Sequence, residues 1–267
     1  MSASEVYSLF ALARDLKSAY EPKLPSLTCA YSFEGNSLRT RSTFLKAFAD
    51  LELTAIELPN LLKTGEQKRH LAGYLDQWID VYVIRESDHT TLEDFAHASR
   101  KPIINAMTSR EHPCEVLSDA FWLWERFAGL EELKFCILGP PTNVLSSWVE
   151  LCQLLGLAFI RVLPVGFNDP SGIPTSENLT PSLEEGLKGV DVVLTDAWPE
   201  GFHDIAYQLT PSKLDRANRG VVIIPCPPFN TDNEVDQALI NSPFFAGYSQ
   251  KRDLYTVHKA ILVSLLT

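Results

Sequence analysis

The chain reads as an α/β protein: two lobes of mainly parallel sheet, each sandwiched by helices, with a last helix packing back across the lobes. Three observations predict this. Short apolar runs of strand length alternate with segments whose apolar residues repeat at helical spacing, the rhythm of strand–helix–strand units. That rhythm stops near Gly129–Glu132 and then restarts. A chain of 267 residues, 45% hydrophobic and 21% charged, also carries enough apolar material for a sizeable core and too much for long-range disorder.

In chain order, Thr28–Phe33 is the first expected strand, and Arg41–Leu51 follows as a helix with Phe44, Leu45 and Phe48 on one face. Leu53–Leu58 is extended, Glu66–Tyr74 helical, and Asp80–Ile84 a second clear strand. Thr91–Ser99 is helical, Pro102–Ala106 extended, and Pro113–Phe127 a helix turning Val116, Leu117, Ala120, Phe121 and Phe127 inward. In the second lobe Lys134–Leu138 is a strand, and Thr142–Leu155 a helix carrying Val144, Leu145, Trp148, Val149 and Cys152, with Gly156 as its stop. Phe159–Leu163, Asp191–Thr195 and Gly220–Ile224 are further runs that read as buried strands. Pro164–Pro181, rich in Pro, Gly, Asn and Ser, is the longest polar loop. Asp253–Leu266 is the last helix, with Val257, Ile261, Leu262 and Leu265 to bury. No solenoid period and no low-complexity tract is present. Each lobe is therefore expected to be Rossmann-like.

Composition removes several classes of function. Lys and Arg total 23 against 34 Asp and Glu, a net charge of −11 with no basic stretch set against it, which argues against nucleic acid as a partner. No window approaches the ~18 apolar residues of a membrane span. The start, Met1-Ser-Ala-Ser-Glu-Val-Tyr, has neither a basic nor an apolar leader region. The five cysteines (Cys29, Cys114, Cys136, Cys152, Cys226) are odd in number, scattered and without C-x-x-C spacing, so buried free thiols in a reducing, cytoplasmic compartment are expected.

Chemistry-bearing residues gather at the carboxyl ends of expected strands, where open α/β sheets bind their ligands. Ser37-Leu38-Arg39-Thr40-Arg41 follows the first strand and opens a helix. Helix-start N–H groups, two hydroxyls and two guanidiniums suit a phosphate; a helix cap with solvated arginines uses the same residues. Arg85 ends the Asp80–Ile84 strand, as a ligand group or as a surface arginine. In Glu111-His112-Pro113-Cys114-Glu115 the proline opens a helix, so His112 and Glu115 share its first turn. They read as a hydrogen-bond donor to a carbonyl or phosphoryl oxygen beside an acid, or as a cap neighbour and a capping carboxylate. In the second lobe Asn143 opens a helix after Gly139-Pro140-Pro141-Thr142. Asp196 and Trp198 follow one strand, and Pro225-Cys226-Pro227-Pro228 another. Asp196 fits an amine, or simply caps the next turn.

Taken together, S-x-R-T-R, a strand-end arginine, H-P-C-x, T-D-x-W and x-C-x-P, in this order, resemble the aspartate/ornithine carbamoyltransferase family, and the forms of H-P-C and T-D-A-W resemble its ornithine branch. The resemblance runs from about Ser8 to the C-terminus. It implies that residues 1–129 bind carbamoyl phosphate, that 130–250 bind an amine acceptor resembling ornithine, and that 251–267 form a helix returning to the first lobe. It implies that Ser37, Leu38 (through its backbone), Arg39, Thr40, Arg85 and His112 contact carbamoyl phosphate, with Glu115 placed to accept a hydrogen bond from the carbamoyl NH2. Asn143 and Asp196 then hold the acceptor's α-carboxylate and α-amino groups, and Cys226 lies beside its nucleophilic amine. No metal or organic cofactor is implied; a homotrimer and a place in arginine biosynthesis are.

Departures from the family pattern cluster at these positions. Glu115 stands where the family has glutamine, Pro199-Glu200-Gly201 where it has Ser-Met-Gly, and Pro225 and Pro227 flank Cys226 where it has His and Leu. Leu254 falls at the place of a carbonyl-binding arginine, with Arg252 close by to substitute. The Leu62–Leu71 segment is shorter than the family loop that serves a neighbouring subunit. The expected activity is thus a carbamoyltransferase acting on ornithine or a related amine. Transfer to a different amine, and a non-catalytic relative that binds a ligand or partner, are the alternatives.

Overall fold

A computed structural model describes residues 1–18, 24, 26–168 and 178–267, which divide into two units: Met1–Phe121 with Lys251–Thr267, and Trp122–Gln250. Most of the long polar loop expected at Pro164–Pro181 lies outside the described residues.

The first unit opens with a helix that hydrophobic runs alone do not reveal, α1 (Ala3–Lys17). A capping box starts it: the Ser2 hydroxyl accepts from the Glu5 N–H at 3.3 Å, and the Glu5 carboxylate accepts from the Ser2 N–H at 2.6 Å. Then β1 (Thr28–Phe33), α2 (Leu38–Asp50), β2 (Thr54–Glu57), α3 (Lys68–Leu75), β3 (Val81–Arg85), α4 (His89–Ala98), β4 (Ile103–Met107) and α5 (Pro113–Phe127) follow, each within a few residues of the sequence reading. All strand pairs are parallel, in the order β2-β1-β3-β4. The β3 run Val81-Tyr82-Val83-Ile84 is buried throughout because both faces are covered. Tyr82 and Ile84 pack with Leu62, Leu71, Leu92 and Phe95 on one face. On the other, Phe33 and Tyr31 of β1 meet Phe44 and Phe48 of α2, at ring-centroid distances of 6.4 and 5.9 Å. The short Leu62–Leu71 segment is part of this core: Leu61–Lys63 form a 3-10 turn, and Leu61, Leu62 and Leu71 are all buried.

The second unit contains β5 (Lys134–Leu138), α6 (Asn143–Leu155), β6 (Ala158–Val162), β7 (Leu179–Thr180), α7 (Leu183–Gly186), β8 (Val192–Thr195), α8 (Pro211–Leu214), β9 (Val222–Pro225), α9 (Gln237–Ile240) and α10 (Gly247–Gln250). Its five parallel strands run β7-β6-β5-β8-β9. Thr142 caps α6 through its hydroxyl, which accepts from the Leu145 N–H at 3.2 Å, and Gly156 ends the helix in the left-handed region. Gly186 has a packing reason: a Cβ there would lie 2.0 Å from a Val162 methyl, so only glycine lets α7 sit this close to β6.

The helix expected at Asp253–Leu266 is α11, with those same bounds, and it packs on α1 and α2 in the first unit. Its His258 ring stacks on Phe44 at a centroid distance of 3.8 Å. All five cysteines are buried free thiols. Among the described residues no helix is long and apolar enough to cross a membrane.

Candidate functional site

In both sheets the connections reverse direction at one strand pair. In the first unit the chain steps from β1 out to β2, then returns past β1 to β3, so the reversal lies between β1 and β3. In the second it lies between β5 and β8. Loops leaving two neighbouring strands in opposite directions open a crevice at their carboxyl ends, where α/β sheets bind ligands.

Ser37 and Arg85 stand at the first crevice. Ser37 precedes α2 with φ 38° and ψ 41°, a left-handed conformation that a residue with a Cβ adopts at a cost of roughly 1–3 kcal/mol. Its side chain does not cap α2; instead it accepts from Arg85 Nη1 at 3.3 Å. The capping alternative for Ser37 is thereby removed. Leu38 is exposed and offers its backbone, Arg39 is exposed, and Thr40 is buried. Arg41 turns elsewhere, donating to the Phe33 carbonyl at 3.4 Å and pairing with Glu57 at 3.5 Å. Burial and the neighbouring Arg39 both pull the Arg85 pKa down, while Glu115 and Glu34 push it back up. Two guanidiniums close enough to disfavour each other's charge form a site that an anion would relieve.

His112, just before α5, is buried, and that burial lowers its pKa to about 4 against the opposing pull of Glu115. At neutral pH its ring is therefore uncharged and presents one N–H donor. Glu115 is buried on α5, and its carboxylate accepts from Lys251 Nζ. The same ammonium donates to Asp119, one turn further along α5, at 2.9 Å. Lys251 lowers the Glu115 pKa against the larger, opposing effect of burial. Burial drives Asp119 up to about 7. Leu254 is buried and Arg252 exposed, so the cation delivered to this cluster from before α11 is Lys251, not Arg252.

In the second unit Asn143, Asp196 and Cys226 fall at the carboxyl ends of the adjacent strands β5, β8 and β9. Asn143 is the first residue of α6. Asp196 Oδ1 accepts from the Ala197 N–H at 2.8 Å, as a turn-capping aspartate does. The Cys226 N–H donates to the Thr195 carbonyl at 2.8 Å, which ties the two loops together. The Thr195 hydroxyl and the Trp198 indole N–H are buried with no hydrogen-bond partner among the described residues, and both adjoin Gly139. Pro199 and Glu200 are exposed.

Several supporting residues escape a reading by motif. The buried Glu234 carboxylate accepts from the Trp198 N–H at 3.1 Å and the Asn230 N–H at 3.0 Å, fixing the turn that carries Asp196. Arg161, a fully buried β6 residue, donates to the carbonyls of Ile137, Val162 and Gly139 at 2.9, 2.9 and 2.6 Å, which anchors the end of β5. Of Glu234, Arg161, Lys251 and Asp119, only Asp119 carries a local signal, since it lies four residues after Glu115 and so on the same helix face. Among the described residues no group of three or more His, Cys, Asp or Glu side chains is placed to hold a metal ion.

Comparisons with known proteins agree with this division. Residues 1–125 match the family described as aspartate/ornithine carbamoyltransferase, carbamoyl-P binding domain, and residues 131–265 its Asp/Orn binding domain. The chain is 29% identical over 289 residues to a protein of Nostoc punctiforme named ornithine carbamoyltransferase, covering 100% of this chain and 94% of that one. It is 27% identical over 292 residues to the ornithine carbamoyltransferase of Syntrophus aciditrophicus, covering 100% and 97%. Among solved structures, the ornithine carbamoyltransferase of Thermus thermophilus superposes with a TM-score of 0.90 at 28% identity, covering 100% of this chain and 96% of that one. That of Burkholderia thailandensis gives 0.90 at 25%, with the same coverage. With both domain families matched along nearly its whole length, the chain belongs to the aspartate/ornithine carbamoyltransferase family.

Proposed function

We propose that this protein transfers the carbamoyl group of carbamoyl phosphate to an amine of ornithine or a related amino acid. The observation that carries the reading is the Ser37–Arg85 contact: a strained left-handed serine and a half-buried strand-end arginine, brought together at the β1/β3 reversal beside a second guanidinium. That arrangement supports an anion as the group held there, and phosphate suits it.

Arg39 and Arg85 hold the phosphate oxygens, with Ser37 and the backbone at Leu38 completing the cradle. Thr40 and the uncharged His112 donate to the carbamoyl carbonyl, stabilising the negative charge that grows on its oxygen. A neutral amine attacks the carbonyl carbon; the new C–N bond forms, the bond from that carbon to the bridging oxygen breaks, the oxygen leaves with phosphate, and the departing phosphate takes up the proton the amine loses. Asn143 and Asp196 orient the acceptor's carboxylate and ammonium groups, and Cys226 borders its reacting nitrogen. Each role is supported by the motif a residue stands in and by its place at a strand's carboxyl end.

An acceptor other than ornithine is the second reading, favoured by Pro199 and Glu200, both exposed just past Asp196. Proline removes a backbone donor, and Glu200 adds negative charge close in sequence to Asp196, which favours an acceptor with more positive charge or less carboxylate. The test is steady-state kinetics with saturating carbamoyl phosphate, over ornithine and a panel of amines. Transfer to an amino-acid amine is expected, with a kcat/KM for ornithine below the ~10⁴ M⁻¹s⁻¹ of a dedicated enzyme. A higher value would make the substitutions silent, and no transfer to any amine would leave a non-catalytic relative.

The family relation also supports a homotrimer in the cytoplasm, serving arginine biosynthesis. Light scattering is expected to give about three times the 29.9 kDa chain mass. A mass of one chain at micromolar protein would contradict the trimer.

A further inference from the structure

Glu115 is an anomaly in a site meant for an anion. It is 3% exposed, so it cannot turn out to solvent, and its charge reaches Arg85 and His112, two of the groups that would face carbamoyl phosphate. A bare carboxylate there would either draw the Arg85 guanidinium away from the ligand or repel the ligand's phosphate. Lys251 removes both outcomes. It comes from a distant part of the chain, 136 residues away, immediately before α11, and puts its ammonium on Glu115 and on Asp119 together. Asp119 is 1% exposed and burial raises its pKa, whereas Glu115 is held below the usual carboxylate value with Lys251 upon it, so Glu115 and Lys251 form a buried ion pair.

We propose that Lys251 is a positioning residue for the carbamoyl phosphate site: it neutralises and immobilises Glu115, leaving Arg85 and His112 directed at the ligand. The proposal rests on the reading that Ser37, Arg39, Thr40, Arg85 and His112 bind carbamoyl phosphate. It assigns to a lysine outside every recognisable motif the task of making an acidic residue tolerable at that place.

The test is a double-mutant cycle on the full chain, with Lys251→Met, Glu115→Gln and both together. Two quantities are read: the thermal shift given by carbamoyl phosphate or inorganic phosphate, and the separate KM values for carbamoyl phosphate and the acceptor. Lys251→Met is expected to raise the KM for carbamoyl phosphate at least about tenfold, the effect of an unmasked like charge beside the ligand, and to leave the acceptor KM within about twofold. Glu115→Gln, whose amide keeps an accepting oxygen but no charge, is expected to raise the KM for carbamoyl phosphate less than Lys251→Met does. The double variant is expected to return to the Glu115→Gln value, because once the Glu115 charge is gone no carboxylate beside Arg85 and His112 needs neutralising, Lys251's other partner being Asp119. A lysine that only staples α11 to α5 would show no such rescue, so a double variant as impaired as Lys251→Met overturns the proposal. A silent Lys251→Met overturns it too. Should Lys251→Met prove too unstable to assay, the double variant, which buries no lone Glu115 charge, decides alone: carbamoyl phosphate binding weaker than that of Glu115→Gln refutes the role. If the parent protein is stabilised by neither carbamoyl phosphate nor inorganic phosphate, the underlying reading fails first and the proposal falls with it.

Discussion

Arg85→Ala is expected to melt at the same temperature with and without carbamoyl phosphate, while the parent protein gains several degrees. A ligand at a hundred times its Kd stabilises by ~2.7 kcal/mol, roughly 5–10 °C for a chain of this size. One charge-assisted hydrogen bond is worth about 1.5–3 kcal/mol, so an arginine making two of them to phosphate lowers affinity by roughly 10² to 10⁴ when removed. Millimolar ligand cannot make up that loss. The sign of the change in the ligand-free protein separates binding from folding. Arg85 is partly desolvated and set against Arg39, and its side chain donates to the Ser37 hydroxyl. Its loss relieves charge repulsion, so Arg85→Ala without ligand is expected to melt no lower than the parent. Differential scanning fluorimetry with and without carbamoyl phosphate checks both statements. An undiminished ligand shift in the variant would remove Arg85 from the site.

The second large effect is acid destabilisation. Burial holds His258 neutral with a pKa near 3 and His112 near 4, against about 6.5 in the unfolded chain. Between pH 6.5 and 4 the unfolded chain therefore binds protons that these folded rings refuse. Stability is full above pH 6.5 and falls with acidification, by ~1.4 kcal/mol per pH unit for each ring. Asp119 works the other way: its pKa is raised to about 7, so its contribution is present in acid and lost as pH rises through 7. Across the two pH units from 6.5 to 4.5, two rings against one carboxyl leave a net loss of ~3 kcal/mol. His258→Phe isolates the source. The ring lies nearly parallel on Phe44, and a phenyl group keeps that stacking. The His258 side chain is hydrogen-bonded to the Thr43 hydroxyl, which also lies within reach of the Arg39 and Thr40 carbonyls and so keeps an acceptor. The variant also loses a buried Nε2 that lacks a hydrogen-bond partner among the described residues. Its stability, from denaturant titrations, is expected to be nearly equal at pH 4.5 and 6.5. An acid limb as steep as the parent's would place the sensitivity elsewhere.

The parallel strands are legible in the sequence because strands covered on both faces are near-continuously apolar, as Val81–Ile84 and Val192–Leu194 are. Helices α5 and α11 are equally plain, since each carries an apolar stripe of more than three turns. Helix α1 is not: it shows no strong apolar run, and its clearest mark is the Ser2/Glu5 capping box, a signal of spacing and not of hydrophobicity. The two-residue β7 and the four-residue helices α7 to α10 are set by their surroundings and are too short to show a period. For the site, residues borne on strand ends can be read one by one, because strand order alone decides where Ser37, Arg85, Asn143, Asp196 and Cys226 emerge. What the sequence hides is anything that depends on a distant partner. Lys251 meets Glu115 only because α11 returns to the first unit, and Arg161 appears as an ordinary charged residue until its three carbonyl acceptors are seen.

That return of α11 has a consequence for the order in which the protein is made. The first unit begins at Met1 yet needs residues 251–267, so residues 122–250 are in effect an insertion within it. On the ribosome, at ~5–20 residues per second, the interval between completing Phe121 and completing α11 is roughly 7 to 30 s. Throughout it Phe44 lacks the ring that covers it, and Glu115 and Asp119 wait for their cation. The inserted unit, whose sequence is continuous, is free to fold during that wait. Sequential synthesis ordinarily favours the domain nearest the N-terminus; here it favours the later one, and the anion-binding half acquires its final charge balance last.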